Sequence, residues 1–167
     1  EDYRKSGFDK GHLAPAADMR WSEAAMRESF LLSNASPQRH GFNAGVWEEI
    51  ENVVRNFAVQ HHTVYVVTGP ALRKGLPTIG PDKVSVPEYF YKAILVLSGD
   101  MCEAIGFVCR NEPSDLPIAR FAVSIDSVEA LTGLDFFNAL PDDLENKAER
   151  KTNVKWWLPK RGKLPRR

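Results

Sequence analysis

The clearest pattern in the chain runs from Asn43 to about Ala58. Apolar residues fall at Val46, Trp47, Ile50, Val53, Val54 and Phe57, the three-and-four step that turns one stripe of a helix toward a core. Thr63 to Thr68 is a run of β-branched and aromatic residues and reads as a buried strand stopped by Gly69-Pro70. Tyr89–Ser98 and Met101–Cys109 read as a hairpin turning at Gly99-Asp100. Ser22 to Phe30 predicts a short helix with Ser22 as its N-cap, because Ala, Met and Glu favour helix. Phe30 to Ser33 predicts a short strand, ended by a polar loop from Asn34 to Gly41 that holds Pro37. Residues 71–87 form a Gly/Pro-rich loop, and Pro113 and Pro117 mark another. Phe121 to Ser124 predicts a strand, and Ser127 to Leu131 a helix capped by Ser127. The last 25 residues are polar and expected to be loosely held, apart from Trp156 and Trp157. Helices and strands mix without strict alternation, which gives an α+β class.

Composition sharpens this only in places. A chain of 167 residues favours one domain with a sizeable core. No apolar run is long enough for a membrane span. The opening Glu1-Asp2-Tyr3-Arg4-Lys5 is unlike a signal peptide, and leaves room for a trimmed form of a longer protein. Lys and Arg number 22, as do Asp and Glu, so the formal net charge is zero. Nucleic-acid binders often carry a basic excess. Here the excess is local: Lys155, Lys160, Arg161, Lys163, Arg166 and Arg167 close the chain with no acid among them. Cys102 and Cys109, seven positions apart in a strand-like stretch, point to opposite faces if that stretch is regular. A disulfide between them needs a turn between them, and no CxxC spacing is present.

Three pieces carry candidate chemistry: Asp9-Lys10-Gly11-His12, Asn34-Ala35-Ser36-Pro37-Gln38, and Phe42-Asn43-Ala44-Gly45-Val46-Trp47 leading to Glu51. Phosphodiester hydrolysis needs a base for the attacking water, an offset for developing negative charge, and an electrophile for the leaving oxygen. A neutral imidazole suits the first task near pH 7. A hard divalent ion such as Mg²⁺ covers the others and keeps most of its waters, so one protein ligand suffices. Gly11 lets the backbone beside His12 approach closely or turn sharply. On a regular helix Glu51 lies about 80° around from Asn43 and roughly 12 Å along the axis. That is too far to share an ion directly, and fits a water-bridged contact.

These residues resemble the DNA/RNA non-specific endonucleases, the ββα-metal nucleases that include mitochondrial endonuclease G. Asp9-Lys10-Gly11-His12 is similar to their Asp-Arg-Gly-His signature, and the flanking Gly-Phe-Asp-Lys-Gly-His-Leu-Ala-Pro-Ala-Ala-Asp, Leu-Ser-Asn-Ala-Ser-Pro-Gln and Phe-Asn-Ala-Gly-Val-Trp look like the family too. Val86 to Lys92 and Leu131 to Phe137 match more loosely. The resemblance implies a ββα-metal (His-Me finger) fold, with a mainly antiparallel mixed sheet and flanking helices. It implies His12 as general base, Asn43 as the protein ligand to Mg²⁺ (or Mn²⁺), and Glu51 holding a water of the ion. It also gives Asn34 as a site residue, Asp9 a structural part, and Lys10 the place usually held by Arg. Arg39, with Arg20 and Arg4 beside it, is a candidate for the phosphate contact that the family makes through an Arg ahead of this motif. Substrates are DNA and RNA read through the backbone, with 5′-phosphate products. A homodimer, a protein inhibitor, and an exported or organellar location belong to the same expectation. The domain would span 1–150 without the family's usual N-terminal strands, followed by a basic tail over 151–167.

Two departures and several plainer readings stand beside this. Lys10 keeps the charge of Arg but lacks its bidentate fork, and the chain starts eight residues before Asp9. Asn43 alone reads as a helix N-cap, Asn34 as a turn former and Glu51 as a solvated helix residue. His40, His61 and His62 lack a partner pattern and read as surface; Trp47 reads as core. The basic end with Trp156-Trp157 either stacks on single-stranded bases or packs its Trp pair on the body, the second being preferred. The rival functions are a nuclease-fold module that binds without cutting, and a zinc module using His12, His40 and the cysteines at poor spacing.

Overall fold

The structure is a computed structural model that describes residues 1–99 and 101–158. The His-bearing segment is strand β1, Asp9–His12, paired antiparallel with β2, Ala35–Gln38. Between them lie a 3-10 turn at Ala16–Met19, helix α1 at Glu23–Glu28 and a second 3-10 turn at Leu32–Asn34. Ser22 caps α1 as expected, its side chain accepting from the Ala25 N–H. The expected strand at Phe30–Ser33 is not formed: Phe30, Leu31 and Leu32 stay exposed, and the strand falls instead on the segment read as a polar loop. Pro37 is tolerated there because β2 is an edge strand of a two-stranded sheet.

The chain then winds through α2 at His40–Phe42 and a widened, π-type stretch at Asn43–Trp47 into α3 at Glu48–His61. The expected regular helix from Asn43 is therefore interrupted. Gly45 sits at φ −117° and ψ −119°, outside the helical region, a backbone that glycine tolerates best. Asn43 is not an N-cap either, since its own φ and ψ are helical.

Strands β3 (Tyr65–Pro70), β6 (Tyr89–Ser98), β7 (Met101–Arg110) and β8 (Ala122–Val123) form one antiparallel sheet in the order β3-β6-β7-β8. The 71–87 loop contains a small hairpin, β4 (Thr78–Ile79) with β5 (Val84–Ser85). The expected β6–β7 hairpin is present, with Ser98 opposite Met101; Asp100 lies outside the described residues. β3 is the sheet edge, so Tyr65, Val66 and Val67 are exposed rather than buried. Helix α4, Ile125–Thr132, is capped by Ser124 instead of Ser127, three residues earlier than expected. As far as Leu158, the C-terminal part is more regular than its polarity suggests: α5 spans Asp142–Arg150 and α6 Val154–Trp157.

Side-chain alternation along β6 divides the core. Phe90, Ile94 and Val96 face α3, where they meet Phe42, Trp47, Ile50, Phe57 and Trp157. Tyr91, Ala93 and Leu95 face the other way, against Ile125 and Val128 of α4, Ala148 of α5, and Phe136 from the segment between these helices. Trp47 and Trp157 are both 1% exposed, so Trp47 is core and the terminal Trp pair packs on the body. Both cysteines are free, and they face opposite sides of β7, as alternation requires.

Candidate active site

Gly11 explains how β1 can sit where it does. A Cβ at this position would run into the side chain of Gln38, which is fully buried on β2. His12 follows, half-buried, its ring edge-on to Phe30 with centroids 4.8 Å apart. Desolvation holds its pKa below the ordinary histidine value, so the imidazole is neutral at pH 7, the form that accepts a proton.

Two asparagines bracket this segment. The Asn34 side chain accepts from the Ala14 N–H at 2.9 Å and donates to the carbonyls of Ala14 (2.9 Å) and Ser29 (2.8 Å). It fixes the backbone two residues beyond His12. On the other side, Asn43 Nδ2 donates to Asp9 Oδ2 at 3.0 Å, and His40 Nδ1 lies 2.9 Å from the same oxygen. Burial alone would raise the Asp9 carboxyl, but the bonds from Asn43 and His40 outweigh it and hold the pKa below its ordinary value. Because Asp9 occupies the Asn43 amide nitrogen, Oδ1 is the atom left to serve as a ligand. His40, read as a surface residue without a partner, thus has one in Asp9. His61 has neighbours as well, stacking on Phe57 and packing against Trp156.

Beyond His12 opens a cleft of about 470 Å³, lined among others by Leu13, Asp18, Asn34, Glu51, Thr68 and Lys92. Glu51 projects from the first turn of α3. Burial raises its pKa, and Lys92 and Arg55 pull against that rise. Lys92 is 1% exposed, its Nζ 4.0 Å from Glu51 Oε1, 3.0 Å from Thr68 Oγ1 and 4.5 Å above the Trp47 ring. Desolvation pushes its pKa down to about 8 despite the nearby carboxylate. Arg55 bonds Asp18 at 2.9 Å and Asn52 at 2.8 Å, tying the turn after β1 to α3.

Asn34 and Glu51 therefore meet in one cleft, while Asn43 and Asn34 are each bonded to the β1 segment that holds His12. His12 and Asn43 do not line this cleft, and neither do the exposed Lys10 and Arg39: Lys10 sits over the Tyr3 ring at 5.7 Å, Arg39 over Phe8 at 4.7 Å. Arg4 and Arg20 are exposed and form no ion pair among the described residues. The basic tail from Lys160 on lies outside the described residues. The zinc reading does not survive. Among the described residues the single cluster of metal-ligand type is Asp126, Glu129 and Glu149, which includes neither a histidine nor a cysteine. That cluster stands on α4 and α5, on the sheet face away from α3. Nothing in the motif pattern singles out Lys92, yet one signal was present: a lysine inside the apolar run from Phe90 to Leu97.

Residues 1–143 match the family model described as DNA/RNA non-specific endonuclease. The chain is 40% identical over 151 residues to human mitochondrial endonuclease G, covering 81% of this chain and 50% of that protein. It is 41% identical over 155 residues to nuclease C1 of Cunninghamella echinulata var. echinulata, covering 83% and 60%. It is 35% identical over 161 residues to the mitochondrial nuclease of Saccharomyces cerevisiae, covering 84% and 49%. A crystal structure of an EndoG/EndoGI complex, reported for the mechanism of EndoG inhibition, is similar with a TM-score of 0.78 and 38% identity, over 84% of this chain and 63% of that one. The chain spans about half the length of the curated relatives it matches.

Proposed function

The chain belongs to the DNA/RNA non-specific endonuclease family, and from that premise we propose that it hydrolyses phosphodiester bonds of DNA and RNA with little sequence preference. The observation that carries this reading is the arrangement around β1: a neutral His12 between two asparagines bonded to its own segment, beside a cleft holding Glu51. His12 takes the proton of the attacking water. Asn34 holds the backbone that aims it. Asn43 Oδ1 would hold the metal, with Glu51 accepting hydrogen bonds from the ion's waters. The donor set fits Mg²⁺ or Mn²⁺, being oxygen only, with the amide orientation fixed by Asp9. When bound, the ion supplies a Lewis acid for the phosphoryl and leaving oxygens. Lys92 opposes the rise that burial imposes on the Glu51 pKa and so favours its carboxylate form.

Lys10 is exposed on β1 and Arg39 is exposed just beyond the end of β2, and we assign them to phosphate contacts flanking the reacting group. The mitochondrial relatives favour an organellar over an exported location. The EndoG/EndoGI complex makes a protein inhibitor the first partner to look for, and a homodimer is the assembly to check by light scattering. The purified protein is expected to nick plasmid and degrade RNA in millimolar Mg²⁺, to stop in EDTA, and to recover when Mg²⁺ or Mn²⁺ is restored. Undiminished cleavage in EDTA removes the metal from this account. Binding without cleavage in Mg²⁺ replaces it with the binding module.

A further inference from the structure

The sheet face away from the cleft carries its own concentration of charge. Asp126 and Glu129 are three residues apart on α4 and so share one side of that helix. Glu149 comes from α5. One carboxylate oxygen from each lies within 4.8 Å of the other two. Glu149 is only 7% exposed, and its Oε1 is buried with no hydrogen-bond partner among the described residues. No ion pair among the described residues engages any of the three. A buried carboxylate in that position is unfavourable unless it takes a proton or a cation.

We propose that Asp126, Glu129 and Glu149 form a binding site for a hard divalent cation of the calcium class, which clips α4 to α5 on the far side of the sheet. The donors are all oxygen, as Ca²⁺ prefers. Three carboxylates in one cluster suit Ca²⁺, which takes about six to eight oxygens in a flexible shell, better than Mg²⁺, which dehydrates reluctantly and usually takes one or two carboxylates. Glu129 is already oriented, since its Oε1 accepts the Phe136 N–H at 2.8 Å. Asp126 is exposed and leaves room for water ligands. Burial, then the charges of Glu129, Glu145, Asp126 and Asp135, push Glu149 up to about 7.

The test is thermal unfolding of the EDTA-stripped, desalted chain against CaCl2, with Asn43→Ala, Asp126→Asn and Glu149→Gln alongside. At about a hundred times Kd, calcium is expected to raise Tm by at least about 5 °C in wild type at pH 8. Asn43→Ala should keep the rise. Asp126→Asn, at an exposed position that does not threaten folding, should need at least tenfold more calcium; Glu149→Gln should not respond. No rise in wild type overturns the proposal. So does a rise that Asp126→Asn retains unchanged, and a rise lost in Asn43→Ala assigns the ion to the nuclease site instead.

Discussion

At His12 half-burial decides the chemistry. The pKa lies below the ordinary histidine value, so the neutral base is fully present at pH 7 and is lost only as pH falls through that lowered value. The acid limb of kcat/KM for plasmid cleavage is therefore expected below about pH 6.5, the unperturbed value. Removing the Lys92 charge takes away the largest influence holding Glu51 down, so its carboxylate protonates at higher pH. Lys92→Met should lose more of its activity at pH 6 than at pH 8, relative to wild type. A uniform loss across the profile would make Lys92 a packing residue only. The proposed base, ligand and glutamate were legible in the sequence because they sit in short motifs within 51 residues. Lys92 was not, because it reaches the cleft from β6, through a sheet whose face assignment depends on register.

Among the elements, legibility followed local chemistry. The Ser22 cap, the apolar stripe of α3 and the β6–β7 hairpin are each written into neighbouring residues, and all three formed. β2 was hidden, since Ala-Ser-Pro-Gln lacks the β-branched and aromatic residues that mark strands. Its pairing comes from β1, twenty-odd residues earlier in the chain. The ββ unit also depends on the close approach of Gly11 to Gln38. Gly11→Ala is expected to cost about 1–3 kcal/mol by overpacking a site with no room to yield. Urea unfolding should show a lower midpoint with an unchanged slope; an unchanged midpoint would mean Gln38 moves aside freely.

The whole molecule is a sheet with different business on its two faces: the cleft and α3 on one, the acidic α4–α5 layer on the other. The formal net charge is zero, which is why composition argued weakly for a nucleic-acid enzyme. The C-terminal Trp pair is part of the first face. Trp157 packs against Phe57 with ring centroids 4.4 Å apart and tilted by 40°, and is fully enclosed, so Trp157→Ala should destabilise the protein by about 3–5 kcal/mol and lower Tm by roughly 10 °C. A loss below about 1 kcal/mol in denaturant titration would show that α6 is dispensable to the core.

The account rests most heavily on His12 as the base. The direct measurement is the single-turnover rate of plasmid cleavage by His12→Ala in saturating Mg²⁺ at pH 7.5, against wild type, with folding checked by thermal melt. The expected result is a fall of at least about 100-fold, the low end of a general-base contribution. A folded His12→Ala protein that cuts within tenfold of wild type would contradict it.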